Sequence, residues 1–449
     1  MPVSPARESA IKILQQVERG RGYAAELLQA RRISSLSEAD RRLTTEIVMG
    51  VLRRRGDLDH QIEKLSGKPA AYFDAEVLEI LRTGVYQIRY LATIPKYAAV
   101  NESVELVKKA RKASAAGLVN AVLRKCAPGP FGVGESEAAA AQGIVDAARR
   151  SLPGWLLERW ERNFGEDAAA SLAIASSSAP RVWLRLTGVH FERDAVRREL
   201  EAAGIRTQPG AYGARALWVE SGSATSAQAW RAGRVMIQDE ASQLVGELAG
   251  PEHGQCALDL CAAPGMKALQ IAESIAAGTF VACDRSMSRM RILDKVVGSA
   301  WPAGVARHRV LLDATEPLPF SKCFDRILAD VPCSGTGTLA RNPEIKWRLQ
   351  PEDLPRLAAE QVRILCRGLD ALAPRGRLVY STCSLEPEEN ERVVSKALHA
   401  SHGSRQLRGG ELRREFPHLG PLIGDDGALR TLPGRNPCDG FFAAVIVRK

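Results

Sequence analysis

The stretch Ala257-Leu258-Asp259-Leu260-Cys261-Ala262-Ala263-Pro264-Gly265-Met266-Lys267 joins a short apolar run to a turn of small residues, and a helical pattern follows. The apolar run reads as a buried strand, and small residues in the turn let the backbone approach a ligand closely. Only one glycine is present, so this is not the GxGxxG dinucleotide fingerprint. Further strand-like runs follow at Thr279–Asp284, Arg309–Leu312, Ile327–Asp330 and Leu378–Thr382. Helical stretches separate them, notably Asp353–Leu372 with Leu354, Leu357, Leu365, Leu369 and Leu372 on one side. This alternation predicts a mostly parallel, doubly wound α/β sheet over residues 234–449. Phe441–Val447 reads as a late strand pairing antiparallel at one side.

In such a sheet ligands sit at the carboxyl ends of the strands, and the notable motifs fall there. Asp284 ends the second strand, where a carboxylate can accept from both ribose hydroxyls of a nucleoside. Asp313 ends the third and could meet an adenine amino group. The fourth ends in Asp330-Val331-Pro332-Cys333-Ser334-Gly335-Thr336-Gly337 and the fifth in Tyr380-Ser381-Thr382-Cys383-Ser384. A lone Cys is usually a packing residue; two, each directly after a strand and beside the same expected pocket, suggest thiol chemistry. Carbon 5 of cytosine is too weak a nucleophile to take a methyl group unaided. A thiolate adding at carbon 6 makes carbon 5 enamine-like, and a second group must then remove the carbon-5 proton. Lys267 near such a thiol would favour the anion. Which of Cys333 and Cys383 adds to the ring stays open on the residues alone.

Outward from this region, residues 151–233 combine a helical part, Trp155–Ala175, with strand-like Val182–Leu186 and Leu217–Val219, the pattern of a small α+β module. Residues 131–150, Gly/Pro-rich and then Ala-rich, read as a linker. Residues 1–130 read as an all-α bundle. Ala10, Ile13, Leu14 and Val17 recur at helical spacing, as do Val77, Leu78, Leu81, Val85 and Ile88, and Asn101 is expected to cap a helix through Val107. This part holds 22 Lys and Arg against 14 Asp and Glu, an excess of eight positive charges within a chain of net charge +10. A local basic excess suits a phosphate-rich partner or a solvated helical face.

Hydrophobic residues at 45% and charged residues at 25% exclude a disordered chain, and no apolar run reaches membrane-spanning length. Met1–Arg7 lacks the apolar core of a secretory signal, so a cytoplasmic location is expected. Nine Cys without a CxxC pair, and His residues without ligand spacing, predict free thiols and no metal site. Cys256, Cys283, Cys323 and Cys366 are expected to be packing residues, and Trp155, Trp160 and Trp183 module core. For Trp347, core and base-stacking roles stay open.

Taken together, these motifs resemble the bacterial 16S rRNA cytosine-C5 methyltransferases of the RsmB/Sun (Fmu) family. The resemblance rests on Cys261–Lys267, Gln238-Asp239-Glu240-Ala241-Ser242, Asp330–Gly337, Arg341-Asn342-Pro343-Glu344-Ile345-Lys346-Trp347, Ser381–Leu385 and Asp439-Gly440-Phe441-Phe442. Asp40-Arg41 and Val48–Arg53 are similar to the NusB-like RNA-binding domain that precedes such enzymes. The resemblance implies a Rossmann-like domain that binds S-adenosylmethionine through Cys261, Ala262, Ala263, Pro264, Gly265, Met266, Lys267, Asp284, Asp313 and Asp330. It implies Cys383 as the nucleophile, Cys333 as the group that helps remove the carbon-5 proton, and Asp330 and Lys267 beside the reacting base. The implied partner is 16S rRNA rather than DNA, a membrane or the fully assembled ribosome, with the chain as a monomer. The family loop commonly carries a second glycine where Met266 stands, so a positive φ there would strain this chain. A non-catalytic RNA-binding factor or an exocyclic-amine methyltransferase would have no use for the paired thiols.

Overall fold

The computed structural model describes residues 3–129, 137–188 and 192–449. The chain divides into two compact units: Met1–Pro180 with Thr338–Leu349, and Arg181–Gly337 with Gln350–Lys449.

The first unit is helical. Helices Pro5–Glu18, Glu38–Ser66, Ala75–Tyr90, Lys96–Lys109 and Ala116–Lys125 enclose one core that includes Leu14, Ile47, Leu58, Ile80, Val85, Val107 and Leu123. Their starts follow local chemistry: the side chains of Ser37 and Asp74 accept from the N–H groups of Asp40 and Glu76. Gly50 lets two helices cross closely, since a Cβ there would lie 1.9 Å from the Tyr86 ring. Pro95 opens its helix ahead of Lys96, so Asn101 lies inside that helix and does not cap it.

Of the expected linker, residues 131–136 lie outside the described residues, and Glu137–Arg150 is a helix. Alanine is the strongest helix former, and burial of Ala147 and Ala148, with Arg150 bonded to Asp57 at 2.9 Å, fixes this one. Two more helices, Gly154–Phe164 and Glu166–Ser177, complete the unit. Trp160 is fully buried among them, and Trp155 is half-buried.

Thr338–Leu349 also folds in this unit. Arg53 Nε donates to Ala340 O, Lys346 Nζ to Arg53 O, and Arg348 to Val17 O and Gly22 O. Lys346 is completely buried, which pushes its ammonium well below the usual lysine range. Trp347 packs here, with the Arg55 guanidinium over its ring.

The second unit holds two sheets. Strands β1 (Val182–Leu186), β2 (Arg206–Pro209), β3 (Ala216–Ser221) and β4 (Val235–Ile237) form an antiparallel sheet in the order β2-β3-β1-β4. Its small core includes Leu184, Leu186, Leu200, Ile205 and Leu217.

The larger sheet is built from β5 (Cys256–Asp259), β6 (Gly278–Asp284), β7 (Val305–Leu311), β8 (Phe324–Asp330), β9 (Leu372–Thr382), β10 (Ser404–Gln406), β11 (Ala428–Thr431) and β12 (Phe441–Arg448). Its order is β10-β12-β9-β8-β5-β6-β7, with β11 also paired to β12. The five strands from β9 to β7 are parallel, and β12 pairs antiparallel with β9. Alternate residues supply two cores: Phe280, Ala282, Leu328 and Val379 on one face, Val281, Cys283, Ile327 and Leu378 on the other. Both faces are covered by helices, hence the near-continuous apolar strands. The strand order reverses between β5 and β8, which is where this architecture opens a crevice at the carboxyl ends. Among the described residues no helix is long and apolar enough to cross a membrane.

A buried ion pair fastens the small sheet to the large domain. Arg185, fully buried on β1, bonds Glu273 at 2.7 Å and Gln238 at 2.8 Å. Glu273 lies on the helix Met266–Ile275. Removing Arg185 leaves the buried Glu273 carboxylate only a longer 3.4 Å contact with the partly exposed Arg215, so Arg185→Met is expected to cost about 3 kcal/mol. Hydrogen exchange of the β1 amides measures this; protection within about 1 kcal/mol of the unsubstituted protein would contradict it.

Candidate active site

Parallel pairing sets the site. On β8 and β9, Asp330 stands opposite Ser381, so Cys333 and Cys383 leave the sheet at one level. Their Sγ atoms lie 3.3 Å apart, and both residues are partly exposed. The hydrogen bond with Cys383, together with burial, holds the Cys333 thiol well above its ordinary range, and the Glu389 carboxylate adds to this.

The helix Met266–Ile275 starts immediately after the small-residue turn. Gly265 takes φ +109°, and a Cβ there would come within 2.9 Å of Val297 and 3.0 Å of Leu293. Only glycine satisfies both constraints. Met266 follows as the first helical residue and does not have a positive φ. The anticipated strain is therefore absent, because Gly265 alone carries the left-handed turn. From this helix Lys267 Nζ reaches Asp330 Oδ2 at 2.8 Å and lies 5.0 Å from the Phe441 ring centre. Ser381 Oγ donates to Asp330 Oδ1 at 2.7 Å. Strand ends from β5, β8, β9 and β12 thus converge around one ion pair.

The remaining expected residues take different positions around this pair. Cys261, Ala262 and Ala263 line the turn, Ala262 and Ala263 buried and Pro264 exposed. The Cys261 N–H donates to Asp259 Oδ1 at 3.1 Å, and burial pushes the Cys261 thiol up. Asp284 is buried. Its Oδ1 accepts from Ser286 N–H, and its Oδ2 receives no hydrogen bond among the described residues, although Arg289 lies 3.3 Å away. Asp313 stands two residues beyond β7, exposed, with Oδ1 taking both the N–H and hydroxyl of Thr315. Those bonds lower its carboxyl. Of the cysteines expected to pack, Cys283 is buried, Cys256 and Cys366 are half-buried, and Cys323 is exposed.

S-adenosylmethionine, implied by the sequence resemblance, can be tested against these groups. A buried carboxylate oxygen without a donor at the end of β6 suits a ribose hydroxyl, and the Gly265 turn allows close backbone approach. The residues fit the donor.

Some contributors were not singled out in the sequence. Asp259 is one: burial, then the neighbouring Asp330 charge, push its carboxyl up to about 7. A carboxylate closing an apolar strand was the available signal. Ser381 and Phe441 are others, visible only as members of their motifs. Gln238, Asp239 and Glu240 prove to be anchors. Gln238 meets Arg185, Asp239 accepts from Asp439 N–H, and Glu240 accepts from Tyr212 and Gly213 N–H.

Comparison with known proteins places this geometry in a lineage. The profile of the 16S rRNA methyltransferase RsmB/F family matches residues 247–447. A ribosomal RNA small subunit methyltransferase B of Vibrio cholerae is 32% identical, covering 100% of this chain and 98% of the relative. The protein of the same name from Escherichia coli O1:K1 is 32% identical over 98% of each chain. The chain belongs to the RsmB/F family of rRNA methyltransferases. Its NusB-family match spans residues 4–128, and a ferredoxin-like match of the RsmF/B type spans 152–226. Among solved structures, that of PH0851 has a TM-score of 0.77 at 21% identity, covering 99% of both chains. A methyltransferase homologue from Pyrococcus horikoshii has 0.56 at 25% identity, covering 70% of this chain and 100% of its own. The fold class expected from the sequence, a NusB-like bundle, an α+β module and a Rossmann-like methyltransferase domain, is the one found.

Asp259 yields a pH prediction. Its folded-state carboxyl titrates near 7 and its unfolded one near 3.8, so between these values the folded chain holds a proton that the unfolded chain releases. Stability from this group therefore falls as pH rises from about 4 to about 7. Asp259→Asn removes the dependence: the ligand-free variant is expected to melt higher than the unsubstituted protein at pH 8 and equally at pH 4. Parallel melting curves at both pH values would contradict this.

Proposed function

We propose that this chain transfers the methyl group of S-adenosylmethionine to carbon 5 of a cytidine in small-subunit 16S rRNA, through a covalent bond between Cys383 and carbon 6. The observation that carries this reading is the 3.3 Å meeting of the Cys333 and Cys383 sulfurs at the ends of adjacent parallel strands, beside the Lys267–Asp330 pair.

The bound donor supplies an electrophilic methyl group. Asp284 would hold its ribose, the Cys261–Lys267 turn its backbone-facing side, and Asp313 its adenine edge. On the protein's side, Cys383 as thiolate adds to carbon 6, and carbon 5 becomes nucleophilic enough to be methylated. Cys333 and Cys383 share a hydrogen bond, so a proton kept on Cys333 helps hold negative charge on Cys383. Lys267, at the start of a helix, adds a cation on the same side. After methylation the partly exposed Cys333, having released its own proton to solvent, accepts the carbon-5 proton, and Cys383 is expelled as the ring double bond reforms. Asp330, fixed by Lys267 and Ser381, faces the exocyclic amine side of the base and accepts a hydrogen bond from it.

RNA would be held by the basic helical part, residues 1–130, through its excess of positive charge, and by the small α+β part, residues 151–233, with residues 234–449 performing the chemistry. The substrate is rRNA before complete assembly of the subunit, and the chain acts as a monomer in the cytoplasm.

Two measurements check this. Cys333→Ala incubated with donor and rRNA is expected to accumulate a denaturant-stable protein–RNA adduct, and Cys383→Ala to form none. Full activity in both variants without adduct would refute the mechanism. Asp284→Ala is expected to weaken S-adenosylmethionine binding roughly tenfold to a hundredfold in calorimetry, the loss of a charged hydrogen-bond acceptor; unchanged affinity would place the ribose elsewhere.

A further inference from the structure

The two sulfurs come from turns 50 residues apart in sequence, and the strand ladder ends before either. Something past the strands must fix their separation. Directly behind the thiols lies Glu389, fully buried. Its Oε1 accepts from the N–H of Ser334 and from Gln361 Nε2, both at 2.8 Å. Its Oε2 accepts from the hydroxyls of both Ser334 and Ser384. Ser334 follows Cys333, and Ser384 follows Cys383. Gln361 also donates to Pro332 O, the residue before Cys333.

All these donors are neutral: two hydroxyls, a backbone N–H and a carboxamide. A buried carboxylate without a cation is costly unless hydrogen bonds surround it. Here every bond it accepts ties one thiol turn, or the helix beneath, to the same two oxygens. The arrangement is too specific for a space-filling role, and none of the cofactor residues touches it.

We propose that Glu389 is the positioning residue of the thiol pair: its carboxylate clamps the turns after β8 and β9 so that Cys333 and Cys383 face the base at a fixed separation. Each serine hydroxyl has one proton, and both are directed at the same oxygen. Glu389→Gln keeps the size and one acceptor but puts an NH2 group where that oxygen stood. Both hydroxyls then lose that shared acceptor, and the turns keep only the direct links between them, the 2.9 Å Ser334–Ser384 hydroxyl contact, the Gly337 N–H bond to Cys383 O and the Leu385 N–H bond to Thr336 Oγ1. This inference rests on the two-thiol reading above, so its test includes a readout that does not depend on methylation.

The experiment compares the full-length protein with Glu389→Gln, Ser384→Ala and Cys383→Ala. Methylation of rRNA gives kcat and KM. Closure of the Cys333–Cys383 disulfide by diamide, in which the thiols give up two protons and two electrons to the diazene, reports the sulfur separation once each variant's rate is followed across pH and compared at equal thiolate fraction. In Glu389→Gln, kcat and the closure rate are each expected to fall about tenfold or more, with the KM for donor within about twofold, since small misplacements of reacting groups cost that much. Ser384→Ala, which keeps the carboxylate and loses one donor, is expected to show a smaller fall in both. If Glu389→Gln does not fold, Ser384→Ala decides alone. Unchanged closure and kcat in the folded variants would overturn the proposal, as would a fall in melting temperature and donor affinity with closure unaffected. Activity in Cys383→Ala would defeat the two-thiol reading instead, and the closure rates would still report on Glu389.

Discussion

The pairing of β8 with β9 is the constraint on which the rest of the site depends. Parallel strands in register deliver their carboxyl ends to one rim, and here those ends carry Asp330 and Ser381 opposite one another. The same register that joins Ser381 to Asp330 brings the two cysteines within contact three and two residues later. A one-residue slip would send alternate side chains to the opposite face and separate both pairs. Burial of the strands on both faces is what makes such a slip expensive.

Around that ladder, charge is distributed unevenly. Asp259, Asp284 and Asp330 converge at the strand ends, and of these three only Asp330 has a lysine partner. Asp259 is held near neutrality by burial, and Asp284 keeps one oxygen without a donor. The crevice therefore contains the fixed Lys267–Asp330 ion pair and, at the end of β6, a carboxylate oxygen that receives no hydrogen bond among the described residues although Arg289 lies 3.3 Å away. Behind the thiols the chemistry changes to neutral donors around a buried carboxylate, which stiffens the turns without placing a cation near both sulfurs.

Much of this was legible in the sequence because the site's elements are short and local. A strand, a turn of small residues and a helix from Ala257 to Lys267 can be read in one pass, and so can two cysteines each just past a strand. What was hidden is long-range. Arg185 reads as an ordinary strand residue, yet it pairs with Glu273, 88 positions away. Lys346 sits in a stretch that reads as a continuation of the Cys333 turn, but it is buried against Arg53 of the helical unit. Residues 137–150 are Ala-rich, a composition that fits a linker as well as a helix. Packing against Asp57 and its neighbours, which the local sequence does not disclose, makes that stretch helical. The strain expected at Met266 is absent for a simpler reason: the turn needs one left-handed residue, and Gly265 supplies it.

On this account carbon 5 takes the methyl group only after a thiolate has added to carbon 6 of the ring. The most direct measurement is tritium release from rRNA labelled at carbon 5 of cytosine, counted against methyl groups incorporated. One tritium released per methyl transferred, and none with Cys383→Ala, is the predicted result. Methyl incorporation with the tritium retained would place the methyl group on another atom and contradict the account.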